Sequence, residues 1–402
     1  GKSTLVQDVL APALLRHFGK TSETPGAFDA LLGAEQLADV VFVDQSPLGK
    51  TARSNPASYV GAWDALRDIF AFAPLALERD YKRTMFSFNT GDGRCPTCGG
   101  SGFEHIEMQF LSDVYLRCED CQGKRYRPEV LEVTIERGGR SLNVADCLDL
   151  TVREARDIFV GDRAVQLALQ PIVDVGLDYV KLGQPVPTLS GGEAQRLKIA
   201  GHLADAAKSA AASKQTLARK GSLFILDEPT TGLHFDDIAK LMRALRKLQD
   251  AGHSLLLVEH NLDVIRGSDW LIDLGPDAGE AGGKIVAQGR PEDVRDHADT
   301  HTAHALREYE GLAQAFLVAE APAPYARLAL PCIEVVNATE HNLQNLSVNI
   351  PRGQLNVITG VSGSGKSTLA FDIVFSEGQR RYLESLNAYA RSIVQPLARP
   401  EV

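Results

Sequence analysis

The stretch Leu189-Ser190-Gly191-Gly192-Glu193-Ala194-Gln195-Arg196 decides how the rest of this sequence is interpreted. Its Ser-Gly-Gly opens an alanine-rich segment that continues to about Ala212, and that composition predicts a helix. The first turn of a helix binds phosphate well, because its backbone N–H groups lack partners within the helix and the helix dipole is positive there. We therefore predict nucleotide contacts at four residues of this turn: Ser190, Gly191, Gly192 and Glu193.

A complete phosphate-binding loop of the form G-x-x-x-x-G-K-S lies near the other end of the chain, at residues 360–368. The apolar run Val357-Ile358-Thr359, which we predict to be a strand, precedes it and a helical pattern follows it, and strand, loop and helix is the order that this motif requires. In such loops the glycines let backbone N–H groups approach phosphate, the lysine contacts the β- and γ-phosphates, and the serine binds Mg²⁺. The predicted ATP-binding residues are Gly360, Gly363, Gly365, Lys366, Ser367 and Thr368, with Ser367 as the Mg²⁺ ligand.

The chain opens with Gly1-Lys2-Ser3-Thr4, the sequence that ends a phosphate-binding loop of the same kind. All four residues are predicted to bind ATP, and Ser3 is predicted to bind Mg²⁺. Two such loops in one chain indicate an internal repeat of nucleotide-binding units. Because a domain rarely starts inside its phosphate-binding loop, we expect the sequence to be part of a longer protein.

Two acidic residues follow the apolar run Leu223-Phe224-Ile225-Leu226, which is typical of a buried strand in a parallel sheet. Asp227 is predicted to bind Mg²⁺. Glu228 is predicted to polarise the attacking water as a general base.

Two more predicted strands, at residues 40–43 and 255–258, are each followed by a polar residue. Gln45 is predicted to sense the metal and the water, and His260 to contact the γ-phosphate. Taken singly, a Gln or His at a strand end is more often structural. The order of all these motifs along the chain favours a catalytic role for both.

Four of the six cysteines occur as Cys95/Cys98 and Cys118/Cys121, and each pair is followed closely by glycine. This spacing predicts a structural Zn²⁺ held by four thiolates at about 2.3 Å. A redox dithiol is the alternative, for which one pair would be enough. The alternation of apolar and polar residues from Phe103 to Arg117 predicts a hairpin between the pairs.

Composition limits the class of protein. The chain has 402 residues with 44% hydrophobic content, enough for two or three domains of a soluble α/β protein. No run approaches the ~20 apolar residues of a membrane span and no signal peptide is visible, so we expect no membrane contact. Paired cysteines suit metal thiolates in a reducing cytoplasm, whereas Cys147 and Cys332 are given no role. The net charge of −10 neither indicates nor excludes nucleic acid as a partner.

Several longer runs, together with these motifs, resemble the UvrA family, the damage-recognition ABC ATPases of bacterial nucleotide excision repair. The runs lie at residues 43–59, 86–95, 189–200, 226–234, 258–264 and 378–391. Residues 1 to about 320 resemble the C-terminal half of that family, and residues 333–402 resemble the start of its N-terminal half. Because family members carry these halves in the opposite order, we expect a fused or tandem UvrA-like protein.

The resemblance implies an α/β fold. It consists of an ABC-type P-loop ATPase domain with an inserted zinc module and a helical signature domain, followed by the start of a second ABC ATPase domain. The expected divisions are 1–84 and 216–318 for the two parts of the first ATP-binding domain, 85–127 for the zinc module, 128–215 for the signature region, 319–332 for a linker, and 333–402 for the second ATP-binding domain.

The resemblance also implies an activity. An ATPase of this family binds DNA and recognises damage as a subunit of an excision nuclease complex, without being the nuclease. Each ATP is expected between the P-loop of one unit and the Ser-Gly-Gly turn of another, so that binding and hydrolysis close and open the pair. ATP bound at Lys366 is expected to be hydrolysed poorly, because the second unit lacks its own Asp-Glu strand.

The implied partners are damaged double-stranded DNA, a second UvrA-like copy in a homodimer, and, for the full-length protein but not through this chain, a UvrB-type protein. Phosphate contacts position a protein without reading base sequence, which suits a sensor of varied lesions. Taken singly, a basic residue is more often a solvated surface charge. The candidate DNA contacts are Lys50, Arg53, Arg94, Lys124 and Arg125.

Other functions compete with damage recognition. A UvrA-like paralogue with a role in drug tolerance or another DNA task would share all these motifs. A non-enzymatic DNA-binding remnant is a further alternative, because the first P-loop is incomplete. The ATPase subunit of a transporter is disfavoured, because it has no use for the cysteine pairs.

Overall fold

The computed structural model describes residues 1–46, 48, 53–106, 114–212, 220–277, 282–316, 332–352, 356–361 and 363–378. The chain divides into two compact units. The first contains Gly1–Gly232 and Ile238–Ala313, and the second contains Leu233–Asp237 and Gln314–Val402. Within the described ranges, no helix is both long enough and apolar enough to span a bilayer.

The elements follow one another in an α/β order. The strands are β1 (Asp39–Val43), β2 (Phe103–Ile106), β3 (Val114–Arg117), β4 (Thr134–Arg137), β5 (Arg140–Asn143), β6 (Ser222–Asp227), β7 (Ser254–Val258), β8 (Leu271–Gly275), β9 (Lys284–Gly289), β10 (Cys332–Ala338) and β11 (Leu346–Pro351). The helices are α1 (Ala11–His17), α2 (Pro56–Tyr59), α3 (Ala62–Ala71), α4 (Pro74–Glu78), α5 (Pro128–Leu131), α6 (Val144–Asp149), α7 (Val152–Ile158), α8 (Arg163–Asp174), α9 (Gly191–Ala212), α10 (Phe235–Asp250), α11 (Leu262–Arg266), α12 (Pro291–His297) and α13 (His301–Phe316). Two π-helical segments, Thr4–Leu10 and Thr368–Phe375, follow the two P-loop sequences.

A three-stranded parallel sheet forms the centre of the first unit. β6 lies in the middle and pairs with β1 on one side and with β7 on the other. The three strands predicted from apolar runs are therefore confirmed. Such runs are typical of strands that are covered on both faces, since every residue then packs against apolar neighbours.

The first helical segment packs on this sheet through an apolar stripe. The π-helical segment Thr4–Leu10 continues into α1, and buried Val6 and Leu14 belong to one cluster with Val40 and Ile225 of the strands. Burying each such side chain contributes about 1.5–3 kcal/mol. The segment that begins at Lys2 is therefore held firmly against the sheet.

Residues 44–221 are inserted between the neighbouring strands β1 and β6. Their described part includes a helical region in which α8 packs against α3, α7 and α9, with Leu66, Leu169 and Leu197 fully buried at 0% exposure. Helix α9 confirms the helix predicted after Leu189. The predicted hairpin is confirmed as well, since β2 and β3 pair antiparallel, although its residues 107–113 lie outside the described ranges.

The second unit contains the antiparallel pair β10 and β11, as the strand-like pattern from Ile333 predicts. Val335 packs with Leu369 and Ile373 of the π-helical segment. The strand predicted at residues 357–359 is wrong, because in the described part of this unit they form no strand and Val357 is 78% exposed. An apolar run forms a strand only where another strand offers it ladder hydrogen bonds.

We expect Gly221→Ala to destabilise the first unit. A Cβ at Gly221 would lie 1.8 Å from the Gly252 backbone O, and the Gly221 carbonyl accepts the Ala38 N–H at 2.9 Å beside β1. Forcing these backbones apart should lower the free energy of unfolding by about 1–3 kcal/mol, measured by chemical denaturation followed through tryptophan fluorescence.

The matched control is Gly161→Ala, because no atom lies within 4 Å of a Cβ at that exposed position. Its unfolding free energy should stay within about 0.5 kcal/mol of the parent. Equal stability of Gly221→Ala and the control would contradict the close approach of the two backbones.

Candidate functional site

Polar residues that follow the three parallel strands meet at one edge of the sheet. Parallel strands end on the same side, so Gln45, Glu228 and His260 lie close together despite their separation in sequence. Gln45 Nε2 donates to the Glu228 backbone O at 3.4 Å, and His260 Nε2 lies 3.5 Å from Glu228 Oε1. The structure brings the three residues that we predicted as catalytic into contact.

The backbone turns sharply at Glu228, where φ is +42°, a region that few residues other than glycine adopt. The Glu228 N–H donates to the Val258 carbonyl at 2.9 Å, which fixes the turn against β7. The Thr231 hydroxyl donates to Glu228 Oε2 at 3.3 Å. Backbone strain of this kind is concentrated at functional sites, where neighbouring contacts maintain it.

The beginning of the chain lies at the same edge. Lys2 Nζ is 3.2 Å from both ring nitrogens of His260, and Gln7 Nε2 donates to Asp227 Oδ2. Ser3 and Thr4 are exposed in the first helical turn, and the Gly1 carbonyl accepts the Leu5 N–H. A positive charge therefore lies beside the carboxylates, as a phosphate site requires. Sequence reasoning missed Gln7.

Asp227 has the surroundings of a cation ligand. Its Oδ1 is buried and accepts no hydrogen bond from the described residues. Burial raises the pKa of this carboxyl, and the nearby charge of Glu228 raises the pKa further. A cation at Oδ1 would relieve both effects, so the site fits Mg²⁺, with Ser3 as the other predicted ligand from this unit.

Helix α9 is attached to the same edge by two side chains that sequence reasoning missed. Gln195 Nε2 donates to the carbonyls of Val43 at 3.0 Å and Asp227 at 3.2 Å, the last residues of β1 and β6. Lys198 Nζ donates to Asp44 Oδ1 at 2.5 Å and forms a salt bridge with it. The only signal in the sequence was their spacing of three residues, which places both on one helical face.

The Ser-Gly-Gly turn begins α9 with a reciprocal cap. Ser190 N–H donates to Glu193 Oε2 at 2.9 Å, and Glu193 N–H donates to Ser190 Oγ at 3.3 Å. Gly191 and Gly192 are the first helical residues, so their N–H groups have no partner within the helix. Gly191 lies beside Gln45, because a Cβ there would be 3.4 Å from the Gln45 O.

In the P-loop of the second unit, the lysine side chain contacts backbone carbonyls of the same loop. Lys366 Nζ donates to the carbonyls of Gly360 and Val361, both at 2.8 Å. Gly363 and Gly365 have positive φ values, and a Cβ at Gly365 would meet Leu343 Cδ2 at 2.6 Å. Ser367 and Thr368 stand at the start of the π-helical segment. The lysine thus crosses a loop whose backbone needs glycine.

Four cysteine sulfurs converge in the first unit. The Sγ atoms of Cys95, Cys98, Cys118 and Cys121 all lie within 4.8 Å of one another. Cys95 and Cys118 are 4.0 Å apart, and Cys98 and Cys121 are 3.7 Å apart. A tetrahedral Zn²⁺ with sulfur at about 2.3 Å requires sulfur separations of about 3.8 Å.

The chemistry of this cluster fits zinc as well as its geometry does. Cys95, Cys118 and Cys121 are buried, and the Gly102 N–H donates to Cys98 Sγ at 3.2 Å, as it would to a thiolate. Without a cation, burial raises the pKa of Cys121 to about 12. Binding of Zn²⁺ by the four residues would therefore release protons.

The residues predicted to contact DNA differ in how exposed they are to solvent. Lys124 is exposed beside the cysteine cluster, and Arg53 is half-buried with Nη2 3.0 Å from the position of a Cβ at Gly99. Arg94 donates to the carbonyls of Gly91, Asn89 and Gly99 and so also braces the loop. Lys50 lies outside the described residues.

The prediction that Arg125 contacts DNA is wrong. Arg125 is only 2% exposed, its Nη2 donates to the Gly183 carbonyl at 2.9 Å, and its guanidinium lies 5.2 Å from the centre of the Phe88 ring. A buried guanidinium cannot reach a phosphate at the surface. The residue joins the cysteine module to the segment that precedes Leu189.

We expect the purified chain to contain about one zinc per molecule and Cys118→Ser to lose most of it. Cys118 is fully buried at 0% exposure, and removing one of four thiolates leaves an incomplete tetrahedral set. Elemental analysis by mass spectrometry measures the content. Cys332→Ser, outside the cluster, is the control and should retain the parental zinc. Equal zinc in both variants would contradict the site.

Similarity to known proteins covers about three quarters of the chain. No protein-family model matches the sequence. The chain is 52% identical to UvrABC system protein A of Thermus thermophilus, over 73% of this chain and 29% of that protein. It is 46% identical to UvrABC system protein A of Deinococcus radiodurans, over 78% of this chain and 30% of that protein.

A solved structure matches as well. The crystal structure of UvrA2 from Deinococcus radiodurans superimposes with a TM-score of 0.65 at 45% identity, covering 77% of this chain and 35% of that chain. The chain thus spans about 30% of the length of the curated relatives that it matches. With its mixed α/β fold and its inserted cysteine module, the chain belongs to the UvrA family.

Proposed function

We propose that this chain is the ATP-hydrolysing and DNA-contacting part of a UvrA-type damage sensor in nucleotide excision repair. The observation that carries the proposal is the convergence of Lys2, Gln45, Asp227, Glu228 and His260 at one edge of the sheet. These are the residue types that bind and hydrolyse a nucleoside triphosphate.

Hydrolysis follows from the contacts at this edge. Glu228 orients a water and accepts its proton while the water oxygen attacks the γ-phosphorus and the bond to the β-phosphate oxygen breaks, releasing ADP and phosphate. His260, between Lys2 and Glu228, contacts the γ-phosphate, and Gln45 senses the metal and the attacking water. Mg²⁺, held by Asp227 and Ser3, would neutralise charge on the phosphates.

The attachment of α9 to this edge couples phosphate binding to the signature helix. Gln195 and Lys198 hold the helix to the ends of β1 and β6, while the N–H groups of Gly191 and Gly192 contact phosphate held by a facing P-loop. Bound γ-phosphate then favours the closed arrangement of paired nucleotide-binding units, and hydrolysis lets the pair open.

Basic residues beside the cysteine cluster supply the proposed DNA contacts. Arg53 and Lys124 contact backbone phosphates. Arg94, which is held by its hydrogen bond to the Gly91 carbonyl, adds positive charge beside them. Contacts to phosphates give no information about the base sequence, so lesions are distinguished by how readily the duplex deforms. The full-length protein is proposed to act as a homodimer and with a UvrB-type partner.

A second candidate function is that of a UvrA-like paralogue with a role in drug tolerance or another DNA task. The observation that favours it is that Deinococcus radiodurans has both a UvrABC system protein A and a protein titled UvrA2, and both resemble this chain. Complementation of a repair-deficient strain by the longer protein separates the two: rescue of ultraviolet survival supports the repair role, and its failure supports the paralogue.

We expect Glu228→Gln to slow ATP hydrolysis by about 100-fold or more while nucleotide still binds, because the amide cannot accept the proton of the attacking water. Single-turnover hydrolysis of radiolabelled ATP, with the chain in excess over nucleotide, detects even slow turnover. Glu136→Gln, an exposed residue of β4, is the matched control. Hydrolysis at the parental rate by Glu228→Gln would exclude Glu228 as the base.

We expect Lys366→Ala to weaken nucleotide binding by about tenfold or more, because the P-loop loses its charge-assisted contact to the phosphates. A titration with a fluorescent ATP analogue measures the affinity. Lys208→Ala, an exposed residue of α9, should bind as the parent does. If Lys366→Ala binds as tightly as this control, the second unit does not use its P-loop for ATP.

A further inference from the structure

We propose that Tyr179 is a positioning residue for the signature turn, and that its hydroxyl holds Glu193 in the one orientation that leaves the N–H groups of Gly191 and Gly192 open to phosphate. Tyr179 lies outside the Ser-Gly-Gly sequence. The inference rests on the proposed function, in which this turn contacts ATP.

The hydrogen bonds of Glu193 carry the argument. Its Oε1 accepts the Tyr179 hydroxyl at 2.6 Å, and its Oε2 accepts the Ser190 N–H at 2.9 Å. Each carboxylate oxygen therefore has its own donor. Both donors precede Glu193 in sequence, one before the turn and one within it, and because each bonds a different oxygen, together they determine the rotation of the carboxylate.

Arg196 adds further hydrogen bonds to Tyr179 and to the signature turn. It is only 2% exposed, its Nη2 donates to the Tyr179 hydroxyl oxygen at 3.3 Å, and its Nε donates to the Gly192 carbonyl at 3.4 Å. Its Nη1 donates to the carbonyls of Val175 and Gly176 at 3.4 and 3.3 Å. One buried guanidinium thus bonds both the loop after α8 and the signature turn. The Tyr179 hydroxyl accepts a hydrogen bond from this guanidinium and donates one to Glu193.

Electrostatics explains why the orientation of Glu193 matters. A carboxylate in the first turn of a helix interacts favourably with the N–H groups there, so it competes with phosphate for the same donors. Burial, and then the charge of Glu193, raises the pKa of Tyr179, so the hydroxyl stays protonated and keeps donating. Without that hydroxyl, Glu193 is free to turn toward the glycine N–H groups and to repel the phosphate.

The test variant is Tyr179→Phe, which removes one oxygen atom. The control is Tyr309→Phe, which removes a hydrogen bond of the same kind elsewhere in the first unit, from the Tyr309 hydroxyl to Asp263 Oδ1 at 3.0 Å. Hydrogen–deuterium exchange without nucleotide is measured on the peptide that contains residues 189–193. We expect exchange to be about fivefold faster or more in Tyr179→Phe and unchanged in Tyr309→Phe.

The same two variants are then assayed for single-turnover hydrolysis over a range of ATP concentrations. We expect Tyr179→Phe to lower the maximal rate about tenfold while the concentration at half-maximal rate changes less than about twofold, because the P-loop contacts are intact. A purely structural loss would slow both variants or weaken nucleotide binding.

Unchanged exchange of residues 189–193 in Tyr179→Phe overturns the proposal. So does faster exchange together with a parental rate of hydrolysis. If the parent chain itself hydrolyses no ATP, the proposed function fails, and the exchange measurement still decides whether Tyr179 positions the turn.

Discussion

One buried amide sets the geometry on which the candidate site depends. The Gln195 side chain, 1% exposed, bonds the carbonyls that end β1 and β6, and so fixes α9 to the two strands that present Gln45 and Glu228. A buried carbonyl that loses its donor costs about 1–3 kcal/mol, so the helix and the strand ends keep this spacing. The Ser-Gly-Gly turn that begins α9 is therefore joined to the edge of the sheet that carries Gln45 and Glu228.

Short-range patterns gave the parts of this fold that were predicted correctly. The three parallel strands, the hairpin and helix α9 follow from local apolar runs and alternation, and the cysteine cluster follows from spacing alone. Gln195, Lys198 and Tyr179 were missed, because their partners lie in other elements and leave no local pattern. The strand at residues 357–359 was wrong for the same reason, since a strand depends on its neighbour. The roles of the site residues stay predictions.

Buried charges connect regions that are separate in sequence. Arg125 was predicted as a DNA contact because it borders the cysteine pairs, yet it donates to the Gly183 carbonyl and packs over Phe88. Arg196 does the same between the loop after α8 and the signature turn. Burying a guanidinium is less unfavourable when its N–H groups donate hydrogen bonds, and both arginines donate to backbone carbonyls, although Arg125 Nη1 has no partner among the described residues. In this unit arginines act as connectors between the cysteine module, the helical region and α9.

The insertion of residues 44–221 between two adjacent strands has a consequence for biosynthesis. When β1 leaves the ribosome, its partner β6 has not yet been made, so the edge of β1 and the apolar face of α1 stay uncovered during translation of the entire insertion. The cysteine module and the helical region are synthesised before β6, so the central sheet forms only after both have been made. The polar edge that carries Gln45, Glu228 and His260 thus assembles only after β7 and His260 have emerged.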